Sequence, residues 1–116
     1  MNNEPKDKHF GVPLSEWISN IPNELEVDAV GLWQLVASGR DGFDFNNADL
    51  SNFLNLAITS LLEKGAKPVR ASDSGEWVVQ NQYGKSNETI ALNILKEWME
   101  SGIDPDENGI WFSIYI

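Results

Sequence analysis

The most regular pattern of apolar and polar positions lies mid-chain. Leu50, Phe53, Leu54, Ala57, Ile58, Leu61 and Leu62 recur at i, i+3, i+4, i+7 and i+8. That spacing lines one face of a 3.6-residue helix. It predicts a helix from about Ala48 to Lys64, capped by Asn46 or Asn47, with Gly65 just past its end. A second stripe, Ala91, Ile94, Leu95 and Trp98, predicts a helix from about Glu88 to Ser101. Ser86 or Asn87 caps it and Gly102 closes it. A shorter amphipathic stretch, Leu14 to Asn20, carries Trp17, Ile18 and Ile21 and ends before Pro22. From Asp28 to Ala37, Val30, Trp33 and Ala37 sit at helical spacing beside Leu32 and Val36. Gly31 weakens that helix by about 1 kcal/mol relative to Ala, and a strand is the alternative there.

The remaining apolar segments have a different period. Lys67 to Ser72 and Glu76 to Asn81 flank "ASDSGE", a polar turn sequence, and read as a hairpin. "GIWFSIYI" is apolar on nearly every position and reads as the last strand. Joining the hairpin's second strand to the last one through a helix would leave those two parallel. Placing the last strand beside the first makes every neighbouring pair antiparallel. The expected fold is α+β: a three-stranded antiparallel sheet of order 2-1-3, with helices mainly on one face. Residues 1–12 are expected as a flexible polar tail and 13–116 as a single domain.

At 116 residues, 41% of them apolar, the chain can build a core without metal or disulfides. Its 18 acidic and 8 basic side chains give a net charge of −10. Such a field repels phosphate backbones and anionic lipid surfaces, so nucleic acid and membranes are not the expected partners. Cysteine is absent, no apolar run is long enough for a membrane helix, and the start "MNNEPKDKHFG" has no apolar signal region. The expected setting is the cytoplasm.

Three motifs bear on chemistry. "DPDENG", Asp104 to Gly109, has the D-x-D-x-N-G spacing that opens a calcium loop. A calcium hand needs a bidentate Glu at position 12, which here is Tyr115, and a helix after the loop where this chain predicts a strand. The simpler reading is an Asx turn with glycine at positive φ; metal ligation by Asp104, Asp106 and Asn108 is the second choice. "YGKSNET" lies between strand and helix as a phosphate loop would, but the first Walker glycine is replaced by Val79. Catalytic groups are few: His9 is the one histidine, there is no thiol, and paired carboxylates such as Glu97 and Glu100 belong by default to a solvated helix face. No cofactor and no enzyme activity are expected.

The acids cluster. Asp41 and Asp44 fall in one group with Asp49; Glu97, Glu100, Asp104, Asp106 and Glu107 form another. A face of Asp41, Asp44, Glu97, Glu100, Asp104, Asp106 and Glu107 would steer a basic protein partner inward. Trp17, Trp33 and Trp98 fall on predicted helical stripes and are expected in the core. Trp111 and Tyr115 alternate with Ile110, Phe112 and Ile114, so one set faces the helices and the other faces away. The outward set is either covered by the N-terminal helices or open to a partner.

At "DAVGLWQLVASGRDGF", "LLEKGAKPV", "WVVQNQYG" and "IWFSIYI" the chain resembles a family of small, uncharacterised bacterial proteins, over about residues 28 to 116. These motifs are structural. In size and acidity alone the chain is also similar to immunity proteins that neutralise secreted toxins, a likeness that assigns no residues. Together these readings make a cytoplasmic, non-enzymatic protein-binding module the expected function. Its sharpest form is an immunity protein against a basic toxin, and a small calcium- or ligand-binding domain is the alternative.

Overall fold

The computed structural model describes residues 4–116. The fold is α+β. Helix α1 spans Leu14–Asn20, α2 Leu32–Ala37, α3 Asn47–Glu63 and α4 Asn87–Ser101; strands β1 to β4 are Val30–Gly31, Lys67–Ala71, Trp77–Val79 and Trp111–Ser113.

The long helices begin and end on their own local chemistry. The Asn46 side chain accepts from the Asp49 N–H, and the Ser86 side chain from the Thr89 N–H, each filling one of the donors a helix start leaves unpaired. Gly65 and Gly102 follow at positive φ and turn the chain away. Between caps, Leu50, Phe53, Leu54, Ala57, Ile58, Leu61 and Leu62 are all buried, as are Ala91, Ile94, Leu95 and Trp98. The two stripes pack against each other and, with Leu25, Val30 and Phe112, form one continuous core.

The sheet has four strands, not the expected three, in the order β1-β4-β2-β3, with every neighbouring pair antiparallel. The extra strand comes from the segment expected to be helical from Asp28. Val30 pairs with Phe112 and Gly31 with Trp111. The Leu32 N–H also donates to the Ile110 carbonyl, so the chain leaves the sheet only at Leu32. The helix then starts with the Gln34 carboxamide accepting the Gly31 N–H. Val30 and Gly31 carry little helix propensity, and β4 offers an edge they can complete.

Helix α1 ends at Asn20 as expected, and three other details differ. Pro22 does not stop the chain turning: α1 runs into a 3-10 helix, Ile21–Glu26, in which the proline occupies a first-turn position where no N–H is needed. Residues 4–12, the described part of the expected polar tail, are tied down, and residues 1–3 of it lie outside the described residues. Lys6 bridges Pro13, the Lys8 N–H donates to the Gly42 carbonyl, and the Glu4 carboxylate accepts from Ser15. The strand expected across "GIWFSIYI" is shorter, because the Ser113 hydroxyl accepts the Tyr115 N–H and bends the chain away.

The Ser86 cap sets a first expectation. Ser86→Ala should lower unfolding free energy by about 1 kcal/mol in urea denaturation, with Ser86→Asn close to wild type. Equal losses in both variants would contradict the capping account.

Candidate functional site

Strand alternation sorts the side chains of β4 and β2 onto two faces. Phe112, Pro68 and Arg70 face the helices: Phe112 is fully buried in the core, and Arg70 reaches Glu97 on α4 at 3.4 Å. Trp111, Val69 and Ala71 therefore face the other way. At Trp111 that side lies outside the main core. It carries a second apolar layer, separate from the core, made of Trp33, Trp77 and Trp111 over Val69.

Each contact in this layer has a cause in the sequence. Trp111 stands opposite Val69, and Trp77 opposite Ala71 on the far side of β2. The two β2 side chains between them are short, so the indoles lean together across β2, with ring centroids 5.7 Å apart. Val69 beneath them is fully buried although it lies outside the core. Trp33 reaches the same layer from the first turn of α2. It meets Trp111 in a T-shaped pair at 6.3 Å, the edge-to-face geometry that ring quadrupoles favour. Gly31 makes this possible: a Cβ there would lie 2.7 Å from the Trp33 ring and 3.2 Å from the Trp111 ring. The Trp33 indole N–H, pressed onto that glycine, has no hydrogen-bond acceptor among the described residues. The Trp111 N–H donates to the Glu107 carbonyl at 2.8 Å, which fixes the 104–109 loop against the edge of the layer. All three indoles stay partly exposed.

Trp33 was expected in the core with Trp17 and Trp98. Trp98 is there, and Trp17 packs at the core's margin against Phe43 and Phe53. Trp33 is on the opposite side of the sheet. The sequence signal that could have located it is the Gly-Leu-Trp order after a β-branched residue, once Gly31 is read as strand.

The acids expected to bind a partner fall in separate neighbourhoods, and several are already matched. Asp104 takes a bidentate pair from Arg40 at 2.8 and 3.0 Å and a further bond from the Trp98 indole at 3.3 Å. The Arg40 hydrogen bond, opposed by burial and helped by Trp98 and the guanidinium charge, holds the Asp104 carboxyl below its usual range. Glu97 accepts from the Tyr83 hydroxyl at 2.9 Å and pairs with Arg70. Burial pushes the Tyr83 hydroxyl above its usual range. Glu100 pairs with Lys96 within α4. Asp44, at φ 56°, pairs with Lys8, and Asp41 lines a cleft with Asp7, His9 and Trp17. Glu97, Asp104 and Asp106 do share one cleft, of about 310 Å³, under the loop. Among the described residues Asp106 and Glu107 have no ion-pair partner, and Glu107 borders the tryptophan layer through the bond from Trp111.

The loop is built as a turn. The Asp106 side chain accepts the Asn108 N–H at 2.9 Å and its carbonyl accepts the Gly109 N–H at 3.0 Å. Gly109 is not at positive φ, as was expected of it. A side chain there would approach the Asp106 carbonyl at 3.3 Å, so glycine serves close packing. Asp104 turns to Arg40 and Asp106 to its own loop, and among the described residues no three acidic, histidine or cysteine side chains converge on a metal position. No helix among the described residues is long and apolar enough to cross a membrane.

No family model matches the chain, and no curated protein or solved structure shows significant similarity to it.

Two measurements check this geometry. Gly31→Ala should displace Trp33, raising acrylamide quenching of tryptophan fluorescence while the far-UV spectrum holds; unchanged quenching would contradict the close packing. Asp104 has a depressed folded pKa, so its contribution is present above about pH 4 and is lost as pH falls through the folded value. Asp104→Asn should therefore be less stable than wild type at pH 7, with the two denaturation midpoints converging as pH falls through the lowered folded value.

Proposed function

We propose that this protein is a cytoplasmic, non-enzymatic protein-binding module for a basic partner. Its binding face is the tryptophan side of the sheet bordered by the 104–109 loop. The observation that carries this reading is the second apolar layer: Trp33, Trp77 and Trp111 lie together, partly exposed, on a sheet face apart from the core. Stability alone does not require three large aromatic rings there. Tryptophan supplies large, rigid contact area and accepts lysine and arginine over its ring face.

Charge supports the same partner. Five ion pairs use Lys8, Arg40, Lys64, Arg70 and Lys96, so most of the chain's basic side chains are already matched. The surplus of −10 remains, and it includes the exposed, unpaired Asp106 and Glu107 in the loop bonded to Trp111 and Asp73 and Glu76 in the turn that leads into Trp77. The acidic region is thereby moved: Glu97, Glu100, Asp104 and Asp44 mainly hold the fold, and Asp106 and Glu107 do the steering. An immunity protein that occludes a basic toxin is the sharpest form of this reading, in keeping with size and acidity. The absence of cysteine suits a reducing compartment.

The test is affinity capture with the full chain, followed by titration of the purified partner. A partner of basic isoelectric point should bind, weakening steeply between about 0.1 and 0.5 M salt. Trp111→Ala should weaken it by about 2 kcal/mol, and Glu107→Lys should slow association. An acidic partner, or a basic one indifferent to both changes, would overturn the reading.

A further inference from the structure

The tryptophan face ends at a sheet edge, and the edge has a definite chemistry. The Gln80 N–H donates to the Pro68 carbonyl and the Ser72 N–H to the Glu76 carbonyl. These mark hydrogen-bonded pairs two residues apart on either side of Arg70 and Val78, which are themselves paired. In an antiparallel ladder the intervening residues point their backbone groups the other way. The N–H and C=O groups of Trp77 and Val79 thus face the open side of β3. The extensive contacts of β3 are with β2 alone. The edge lacks the lysine or proline that commonly blocks strand addition, and the Gln80 amide bonds the Val78 carbonyl, which belongs to the side facing β2 and leaves the Trp77 and Val79 groups free of it.

Side-chain direction then identifies what fits. A residue set beside Trp77 or Val79 in a fifth strand would lie on their face of the sheet, the tryptophan face. At the Trp77 end lies the hairpin turn, which carries Asp73 and Glu76, both exposed and neither in an ion pair among the described residues. The nearest arginine, Arg70, is on the opposite face and held by Glu97. Lys67 is on the tryptophan face but at the other end of β2, across from Ser113.

We infer that the partner contributes an extended segment that adds to the free edge of β3 as a fifth strand and places a lysine or arginine beside Trp77. The inference rests on the protein-binding reading above and adds the form of the ligand. Backbone bonds at Trp77 and Val79 supply register, and the indole with Asp73 and Glu76 selects the cation.

The probe is a capped peptide of four Lys-Val repeats, titrated against the full chain, with a four Glu-Val peptide as the charge control. Binding of the lysine peptide should slow hydrogen exchange at the Trp77 and Val79 amides. Val79→Pro removes one outward N–H and no bond to β2, and should weaken binding about tenfold. Trp77→Ala should weaken it comparably. If Trp77→Ala weakens binding while Val79→Pro does not, and exchange at the two amides is unchanged, the strand-addition inference fails and the face reading stands. If neither variant matters, or the glutamate peptide binds as well, both fail. Should Val79→Pro not fold, amide exchange in the wild-type chain decides alone, and unprotected edge amides overturn the inference.

Discussion

Everything in this structure depends on the alternation of Trp111 and Phe112 along one three-residue strand. β4 is central, pairing with β1 on one side and β2 on the other, so its side chains must serve both faces of the sheet. Phe112 goes into the core with Val30 and the helical stripes, and Trp111 goes to the other side between Trp33 and Trp77. A slip of one residue would exchange them. The pairing of Val30 and Gly31 with Phe112 and Trp111 opposes that slip, because only glycine leaves room for Trp33 beneath its ring.

Much of the fold was legible because it is written locally. The stripes of α3 and α4, the Asn46 and Ser86 caps and the two closing glycines are all readable at short range, and the antiparallel requirement put the last strand beside β2. The fourth strand was legible only as the alternative that Gly31 raised. Val30-Gly31 is too short to show a period, and only the partner strand, some eighty positions away in sequence, makes it a strand. The same long-range cause hid Trp33, whose helical spacing suggested the core.

The acids show the same limit from another side. Their clustering in sequence suggested one face, but sequence does not show which carboxylate meets a guanidinium. Arg40 reaches Asp104 across 64 positions and Arg70 reaches Glu97 across 27. These pairs tie the loop after α4 to the turn after α2, and β2 to α4. They are partly exposed, so their energetic worth is modest, but they leave Asp106 and Glu107 unmatched, with Glu107 bonded to the Trp111 indole. The "DPDENG" turn thus delivers β4 into the sheet and, through the Trp111–Glu107 bond, sets the border of the tryptophan face.

The central claim is that adjacent residues of β4 belong to two different layers, one for stability and one for recognition. Comparing the unfolding free energies of Phe112→Ala and Trp111→Ala tests it directly. The account predicts a loss of about 3–5 kcal/mol for Phe112→Ala, as for a buried core aromatic, and less than half of that for the partly exposed Trp111. Equal losses, or a larger one at Trp111, would show that the tryptophan layer is part of the core's stability and would contradict the division.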